Sequence, residues 1–102
     1  MTGSQHELLE GIYAELRGFG VVQSTDDFSI RWLGMNESYL RCLRARQRQP
    51  SAKVLAQCAM RLRRASGLLI SVDQPPKVRA VATRMQKLAD LCADAVFAEH
   101  GA

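Results

Sequence analysis

Apolar residues recur every three or four positions along most of the chain, which is the spacing of helices with one buried face. The first helix is predicted to begin at Ser4, in a Ser-Gln-His-Glu capping box, and to end at Gly18 or Gly20. Its buried positions are predicted to be Leu8, Leu9, Ile12, Tyr13 and Leu16. A second helix starts at the cluster 24–27 and ends at Gly34, with Phe28, Trp32 and Leu33 as its buried residues.

Three more helices are predicted after Gly34. The third begins at Asn36 or Glu37 and ends near Arg46, ahead of the proline at position 50. Ser51 caps the fourth, which buries Val54, Leu55, Cys58, Ala59 and Leu62. Segment 67–72 fits either a continuation of that helix or an extended connector. The fifth helix covers 77–98, so the pattern predicts a single all-α domain over 1–102, a compact bundle of about five helices.

The fifth helix carries an apolar seam with alternating steps of three and four residues. The seam consists of Val78, Val81, Met85, Leu88, Cys92 and Ala95. It resembles the a and d positions of a coiled coil, although it is only about three heptads long. Two uses remain open for the segment 77–98: packing against the first helix within one chain, or contact between two chains in a homodimer.

Positive charge is concentrated in the middle of the chain. Between Glu37 and Asp73 there is no acidic residue but eight basic ones, whereas the whole chain has a net charge of only +4. The eight are Arg41, Arg44, Arg46, Arg48, Lys53, Arg61, Arg63 and Arg64. Because an ordinary solvated surface mixes both signs, this segregation favours a polyanionic partner, most commonly nucleic acid.

The third helix has the geometry that a DNA-reading helix needs. At 100° per residue, the positions 37, 41, 44 and 48 fall within about 60° of one another, and Leu40 and Leu43 lie on a separate face. A short helix with one packed face and one arginine face can enter a major groove about 12 Å wide. The alternative is that the arginines only keep an exposed face solvated.

A further pattern runs without a gap through residues 25–62. It consists of Thr25, Gly34, Met35, Leu40, Leu43, Pro50, Ser51, Leu55, Cys58, Ala59 and Leu62. In these residues and their register the segment resembles the Cro/C1-type (XRE, lambda-repressor-like) helix-turn-helix family. The resemblance implies that the second and third helices form a DNA-reading unit, with Asn36, Glu37, Ser38 and Arg41 at base edges and Thr25 near a phosphate.

The segment also departs from the family pattern. Asp26 and Asp27 stand where the family often has a glutamine, and carboxylates there repel phosphate. Phe28 lies one residue farther from the glycine at 34 than the usual apolar position. Arg44 replaces a frequent acid, and Arg46 replaces a frequent glycine. The resemblance therefore supports the fold more strongly than the individual contacts.

The candidate DNA contacts have different chemical roles. Arg41 can donate two hydrogen bonds to guanine, and Glu37 can either accept from cytosine N4 or stabilise the start of the helix. Basic residues toward the end of the helix and beyond it suit phosphates. The complete candidate set is Thr25, Asn36, Glu37, Ser38, Arg41, Arg44, Arg46, Arg48 and Lys53.

Other functional classes find less support in the sequence. His6 and His100 lie at opposite ends, and no carboxylate pair or Cys/His cluster has catalytic or ligand spacing, so we expect no enzyme activity, metal or cofactor. Three unpaired cysteines, no signal peptide and no apolar segment of membrane-spanning length predict a cytoplasmic protein. Cys42 lies among arginines that favour its thiolate, so redox sensitivity is a minor alternative for this residue.

These observations predict a sequence-specific regulator of transcription that binds double-stranded DNA, most simply a repressor that occludes a promoter. A homodimer on a palindromic site would add affinity that one short helix does not supply. The alternative function is a helical adaptor whose basic face docks an acidic protein partner.

Overall fold

The structure, a computed structural model, describes residues 4–70 and 73–100. Its elements are α1 (Ser4–Gly18), α2 (Thr25–Arg31), α3 (Tyr39–Arg46), α4 (Ala52–Leu69) and α5 (Pro76–His100). Over the residues described, every regular element is an α-helix, which confirms the predicted all-α class. Segment 67–72 resolves in favour of helix as far as Leu69, while positions 71–72 lie outside the described residues.

The predicted start of α3 at Asn36 or Glu37 is wrong by two or three residues. The side-chain oxygen of Asn36 accepts hydrogen bonds from the backbone N–H and the hydroxyl of Ser38, at 3.1 and 3.0 Å. Such a local side-chain turn competes with regular helix for the same backbone groups. As a result, regular helix begins at Tyr39, and Asn36, Glu37 and Ser38 lie in the turn that leads into it.

One core joins all five helices. The predicted inward positions of α1, α2 and α4 are buried or partly buried, which confirms the periodicity of those segments. The core consists of Leu9, Ile12, Leu16, Val22, Phe28, Trp32, Leu33, Leu40, Leu43, Val54, Leu55, Cys58, Ala59, Leu62, Met85, Leu88, Ala89 and Cys92. Because burial of this kind is the main favourable term in folding, these positions define the frame on which surface groups are placed.

The seam of α5 is largely used within the chain. Met85, Leu88 and Cys92 are 1, 2 and 0% exposed and belong to the same core as α1 and α4. Val78 and Val81 are only partly buried. Of the two uses left open by the sequence, packing within one chain therefore accounts for the three deepest seam residues.

Polar contacts fix α5 against its neighbours. The buried hydroxyl of Ser66 on α4 donates to the carbonyl oxygen of Ala82 at 2.7 Å, and Arg63 pairs with Asp90 at 3.1 Å. The later residue on α4, Ser66, contacts the earlier residue on α5, Ala82, so the two helices run antiparallel. None of the described helices combines the length and the apolarity needed to cross a bilayer.

Candidate nucleic-acid interface

A buried serine holds the corner between α2 and α3. The hydroxyl of Ser29, which is 0% exposed, donates to the carbonyl oxygen of Thr25 at 2.9 Å and accepts the backbone N–H of Leu40 at 3.1 Å. Leu40 is the second residue of α3, so its N–H has no partner inside that helix. Ser29 supplies the partner and thereby fixes the start of α3 against α2.

The turn at Gly34 places this corner on α4. Gly34 has a φ of +68°, in the left-handed region, and a Cβ at this position would collide with the side chain of Gln57. From the same face of α4, Nη1 of Arg61 donates to the carbonyl oxygens of Ile30 and Arg31 at 3.0 and 2.9 Å. Arg61 therefore satisfies the last carbonyls of α2, which would otherwise lack partners.

The start of α2 carries both carboxylates that depart from the family pattern. The hydroxyl of Ser24 accepts the N–H of Asp27 at 3.1 Å, and the Asp27 carboxylate accepts the N–H of Gln23 at 2.9 Å. Asp26 lies 3.1 Å from Nε of Arg41. Thr25 is therefore followed directly by two carboxylates that repel an approaching anion, and Arg41 and Arg31 offset part of that charge.

The outer face of α3 is open. Leu40 and Leu43 are buried as predicted, and Arg41 is exposed on the opposite side. The ion pair between Arg41 and Asp26 joins side chains that are 54% and 45% exposed, and a pair of this kind contributes at most about 1 kcal/mol. Arg41 can therefore leave Asp26 at little cost when another acceptor is offered.

Arg44 is the candidate that the structure assigns to the protein's own framework. Its Nε and Nη2 atoms each lie 2.7 Å from a carboxylate oxygen of Glu10 on α1, and its guanidinium lies 5.8 Å from the ring centroid of Tyr13. The bidentate hydrogen bond from Arg44 lowers the pKa of Glu10 and raises that of Arg44. Arg44 therefore ties α3 to α1.

A histidine that the sequence analysis left without a role fastens the loop after α3. The ring nitrogens of His6 lie 3.1 Å from the carbonyl oxygen of Arg48 and 2.9 Å from the Glu10 carboxylate. The backbone N–H of His6 donates to the side chain of Gln49 at 3.1 Å. The first turn of α1 thus positions the loop that carries Arg48.

The loop itself is tightly closed. Gln47 adopts a left-handed φ of 50°. The N–H of Gln47 donates to the carbonyl oxygen of Arg44 at 3.4 Å, and the N–H of Arg48 donates to the carbonyl oxygen of Leu43 at 3.1 Å. This is the Schellman arrangement, here with glutamine in place of the usual glycine. The hydroxyl of Ser51 then caps α4 by accepting the N–H of Val54 at 3.3 Å. The end of α3 and the start of α4 are therefore held in a fixed relation.

Three cations near this loop have no internal partner. The side chains of Arg46, Arg48 and Lys53 are exposed and make no hydrogen bond or ion pair with any described residue. We call these three residues the basic rim. Arg46 and Arg48 line one cleft of about 170 Å³ together with Tyr39 and residues 42 and 43, and no acid lines it. The cleft can therefore accept an anionic group without repulsion from its walls.

Most of the other cations of the acid-free segment are engaged elsewhere. They are Arg41, Arg44 and Arg63, which pair with acids from α2, α1 and α5, and Arg61, which caps α2. Within residues 4–70 and 73–100, Arg64 on α4 is the remaining cation of this segment whose side chain lacks a partner. Within the acid-free segment, exposed cations without partners are therefore found at the basic rim and at Arg64.

Together these features define a small all-α protein with a clamped corner between two short helices and the basic rim beside it. The chain belongs to a family of unknown function, DUF6626, which it matches over residues 9–101. The matched span includes α2, α3, the loop after α3 and the basic rim. No curated protein and no solved structure matches the chain.

Proposed function

We propose that this protein binds double-stranded DNA through the outer face of α3 and the basic rim, and that it regulates transcription, most simply as a repressor. The observation that carries the proposal is the basic rim. Three exposed cations lie where α3 ends and α4 begins, two of them, Arg46 and Arg48, in one cleft, while most other cations of the segment are occupied by internal partners. Phosphate is the anion that such a set of unpaired side chains suits best.

The proposed contacts fall into two groups. Asn36, Glu37 and Ser38 in the turn before α3, together with Arg41 in its first turn, face base edges, with Arg41 donating to guanine and Glu37 accepting from cytosine. The basic rim contacts phosphates on one side of the groove. An eight-residue α3 is about 12 Å long, so its whole outer face can lie within one groove.

A homodimer remains part of the proposal. One short helix and three phosphate contacts supply modest affinity. A two-fold symmetric dimer on a palindromic site would double the number of contacts with DNA. Since Met85, Leu88 and Cys92 are buried within the chain, Val78 and Val81 are the less buried part of the predicted seam that remains for contact between intact chains.

The proposal is tested by selecting bound fragments from random duplex DNA. We expect an enriched site that contains guanine at the position Arg41 reads, and symmetric half-sites if the protein binds as a dimer. Arg41→Gln should change the enriched sequence, whereas Arg48→Gln should weaken binding to every sequence alike. Arg79→Gln on α5 removes the same charge at another exposed position and should do neither. Failure to retard any duplex at low salt would refute the proposal.

An adaptor that docks an acidic protein is the second candidate, and two observations favour it. Asp26 and Asp27 lie at the start of α2, which the resemblance to the Cro/C1-type family would place near the phosphate backbone, and carboxylates there repel phosphate. The corner between α2 and α3 spans residues 32–38, longer than the three or four residues usual in a helix-turn-helix. If the basic rim binds an acidic protein while no duplex is retarded at low salt, the adaptor is the correct function.

A further inference from the structure

A second cationic cavity lies on the other part of α4. It has a volume of about 330 Å³ and is lined by Arg31, Trp32, Arg61, Arg64, Ala65 and Leu68. From position 53 in the basic rim to position 64 at this cavity, α4 rises roughly 16 Å. The cavity is therefore separate from the proposed DNA contacts, and its walls combine a tryptophan, an exposed leucine and three guanidinium groups.

The indole N–H of Trp32 is an unsatisfied buried donor. Trp32 is only 6% exposed, and its Nε1 is the one buried side-chain nitrogen or oxygen among the described residues that has no hydrogen-bond partner. A buried indole N–H usually finds an acceptor, because leaving it unpaired loses the hydrogen bond it makes with water in the unfolded chain. Because Trp32 is one of the residues that line the cavity, an acceptor bound there is a candidate partner for this N–H.

The charges around the cavity favour an anionic acceptor. Arg61 is held in place by the carbonyl oxygens of residues 30 and 31, which use only its Nη1 atom. Arg31 lies 3.4 Å from Asp27, a long and exposed contact, and the side chain of Arg64 has no partner among the residues described. No carboxylate belongs to the cavity wall. An anion in this cavity would therefore meet several unused donors and no repulsion.

The remaining wall is apolar. Ala65 and Leu68 follow Arg64 on the same side of α4, and Leu68 is 76% exposed, the largest value among the exposed large hydrophobic side chains of the described chain. The volume lies at the lower end of the range for small-molecule sites, about 300–1,000 Å³. Inorganic phosphate would leave this apolar surface uncovered, whereas an acid with a hydrocarbon chain or ring would cover it.

We propose that this cavity binds a small organic carboxylate with an apolar body. The carboxylate accepts hydrogen bonds from Arg31, Arg64 and the indole N–H of Trp32, and the apolar body packs on Leu68 and Ala65. Because the indole N–H is covered in the protein alone, the ligand reaches it by displacing side chains of the wall, of which Arg64 and Leu68 are exposed. The proposal does not depend on DNA binding.

The single tryptophan makes the test direct. In a ¹⁵N-labelled sample the indole N–H gives one side-chain signal, which we expect to shift saturably when hexanoate or 3-phenylpropionate is added. Hexanol at the same concentrations should leave it in place. Arg64→Gln should weaken hexanoate binding about tenfold, since it removes one charged hydrogen-bond donor to the carboxylate. Arg46→Gln, which removes the same charge from the basic rim, should not change it.

Several outcomes would overturn this proposal. They are the absence of a saturable shift at millimolar hexanoate, an equal shift with hexanol, an equal shift with inorganic phosphate, and unchanged affinity in Arg64→Gln. Trp32→Phe provides a second measurement that keeps most of the packing but removes the N–H. The increase in melting temperature that hexanoate gives the wild-type protein should shrink in this variant, and an undiminished increase would show that the indole is not a ligand.

Discussion

Two buried serines provide a sharp test of how the corner between α2 and α3 is held. Ser29 is 0% exposed and Ser66 is 3% exposed, and each hydroxyl donates to a carbonyl oxygen inside a helix, at 2.9 and 2.7 Å respectively. The difference is that Ser29 also accepts the N–H of Leu40, which α3 itself cannot satisfy. Alanine at either position therefore removes a similar side-chain volume and one hydrogen bond donated by the hydroxyl. Only Ser29→Ala also leaves a buried donor, the N–H of Leu40, without a partner.

The expected magnitudes follow from this difference. The carbonyl that Ser66 contacts lies inside α5 and keeps its own helical hydrogen bond, so Ser66→Ala should cost about 0.5–1.5 kcal/mol. Ser29→Ala loses a comparable bond and in addition leaves the Leu40 N–H buried and unpaired, which costs about 1–3 kcal/mol more. We expect Ser29→Ala to be the more destabilising change by at least about 1 kcal/mol, or roughly 4–8 °C in melting temperature for a domain near this size.

Equilibrium unfolding in urea measures this difference, with the slope m compared between variants to confirm that the unfolding transition is unchanged. Equal losses in the two variants, within about 0.3 kcal/mol, would refute the argument that Ser29 anchors α3. Such a result would mean that solvent reaches the Leu40 N–H, and that α3 is placed by the burial of Leu40 and Leu43 alone.

Three further predictions concern the same region. Gln47→Gly should stabilise the protein by about 1 kcal/mol in urea unfolding, because glycine adopts the left-handed conformation without the Cβ clash; a loss of stability would contradict this. The lowered pKa of Glu10 means that the stability contributed by its carboxylate is present at neutral pH and is lost as the pH falls below about 4.5. The Glu10→Gln variant should therefore have a lower unfolding midpoint than the wild-type protein at pH 7, and its midpoint should fall less steeply in acid. Parallel pH profiles of the two proteins would contradict this prediction. Asp26→Asn should raise the affinity for duplex DNA up to about fivefold, because this change frees Arg41 and removes a repulsive charge. Fluorescence anisotropy measures the affinity. The control, Asp90→Asn, also breaks an exposed ion pair and should raise the affinity less.

Helical periodicity was sufficient to predict the fold class and the starts of α1, α2 and α4, whereas α2 ends at Arg31, three residues before the predicted stop at Gly34. The inward positions of α1, α2 and α4 repeat at steps of three and four, and capping serines such as Ser24 and Ser51 mark where helices begin. The start of α3 was missed because the Asn36 side chain forms a local turn with Ser38, and such a turn has no apolar periodicity to reveal it. Ser29 was missed because a serine between two apolar residues gives no sign that it bridges two helices.

The number of charged residues could be read from the sequence, but which cation pairs with which carboxylate could not be predicted from it. Arg44 and Arg48 fall on one face of an ideal helix, yet Arg44 is bound to Glu10, 34 residues earlier, while Arg48 remains without a partner for its side chain in the described part of the chain. Contacts between residues so far apart depend on how α1 packs on α3. Helical geometry alone therefore could not show that Arg44 is occupied by an internal carboxylate. Of the predicted DNA contacts, the basic rim consists of cations whose side chains have no partner among the described residues.

The salt dependence of duplex binding tests the central claim most directly. Each phosphate contact adds about 0.9 to the magnitude of the slope of log K against log salt, so changing Arg46, Arg48 and Lys53 together to glutamine should reduce it by about 2.7. Changing Lys77, Arg79 and Lys87 on α5 to glutamine removes the same charge from other exposed positions and should leave the slope nearly unchanged. Equal reductions in both triple variants, or no duplex binding by the wild-type protein at low salt, would contradict the account.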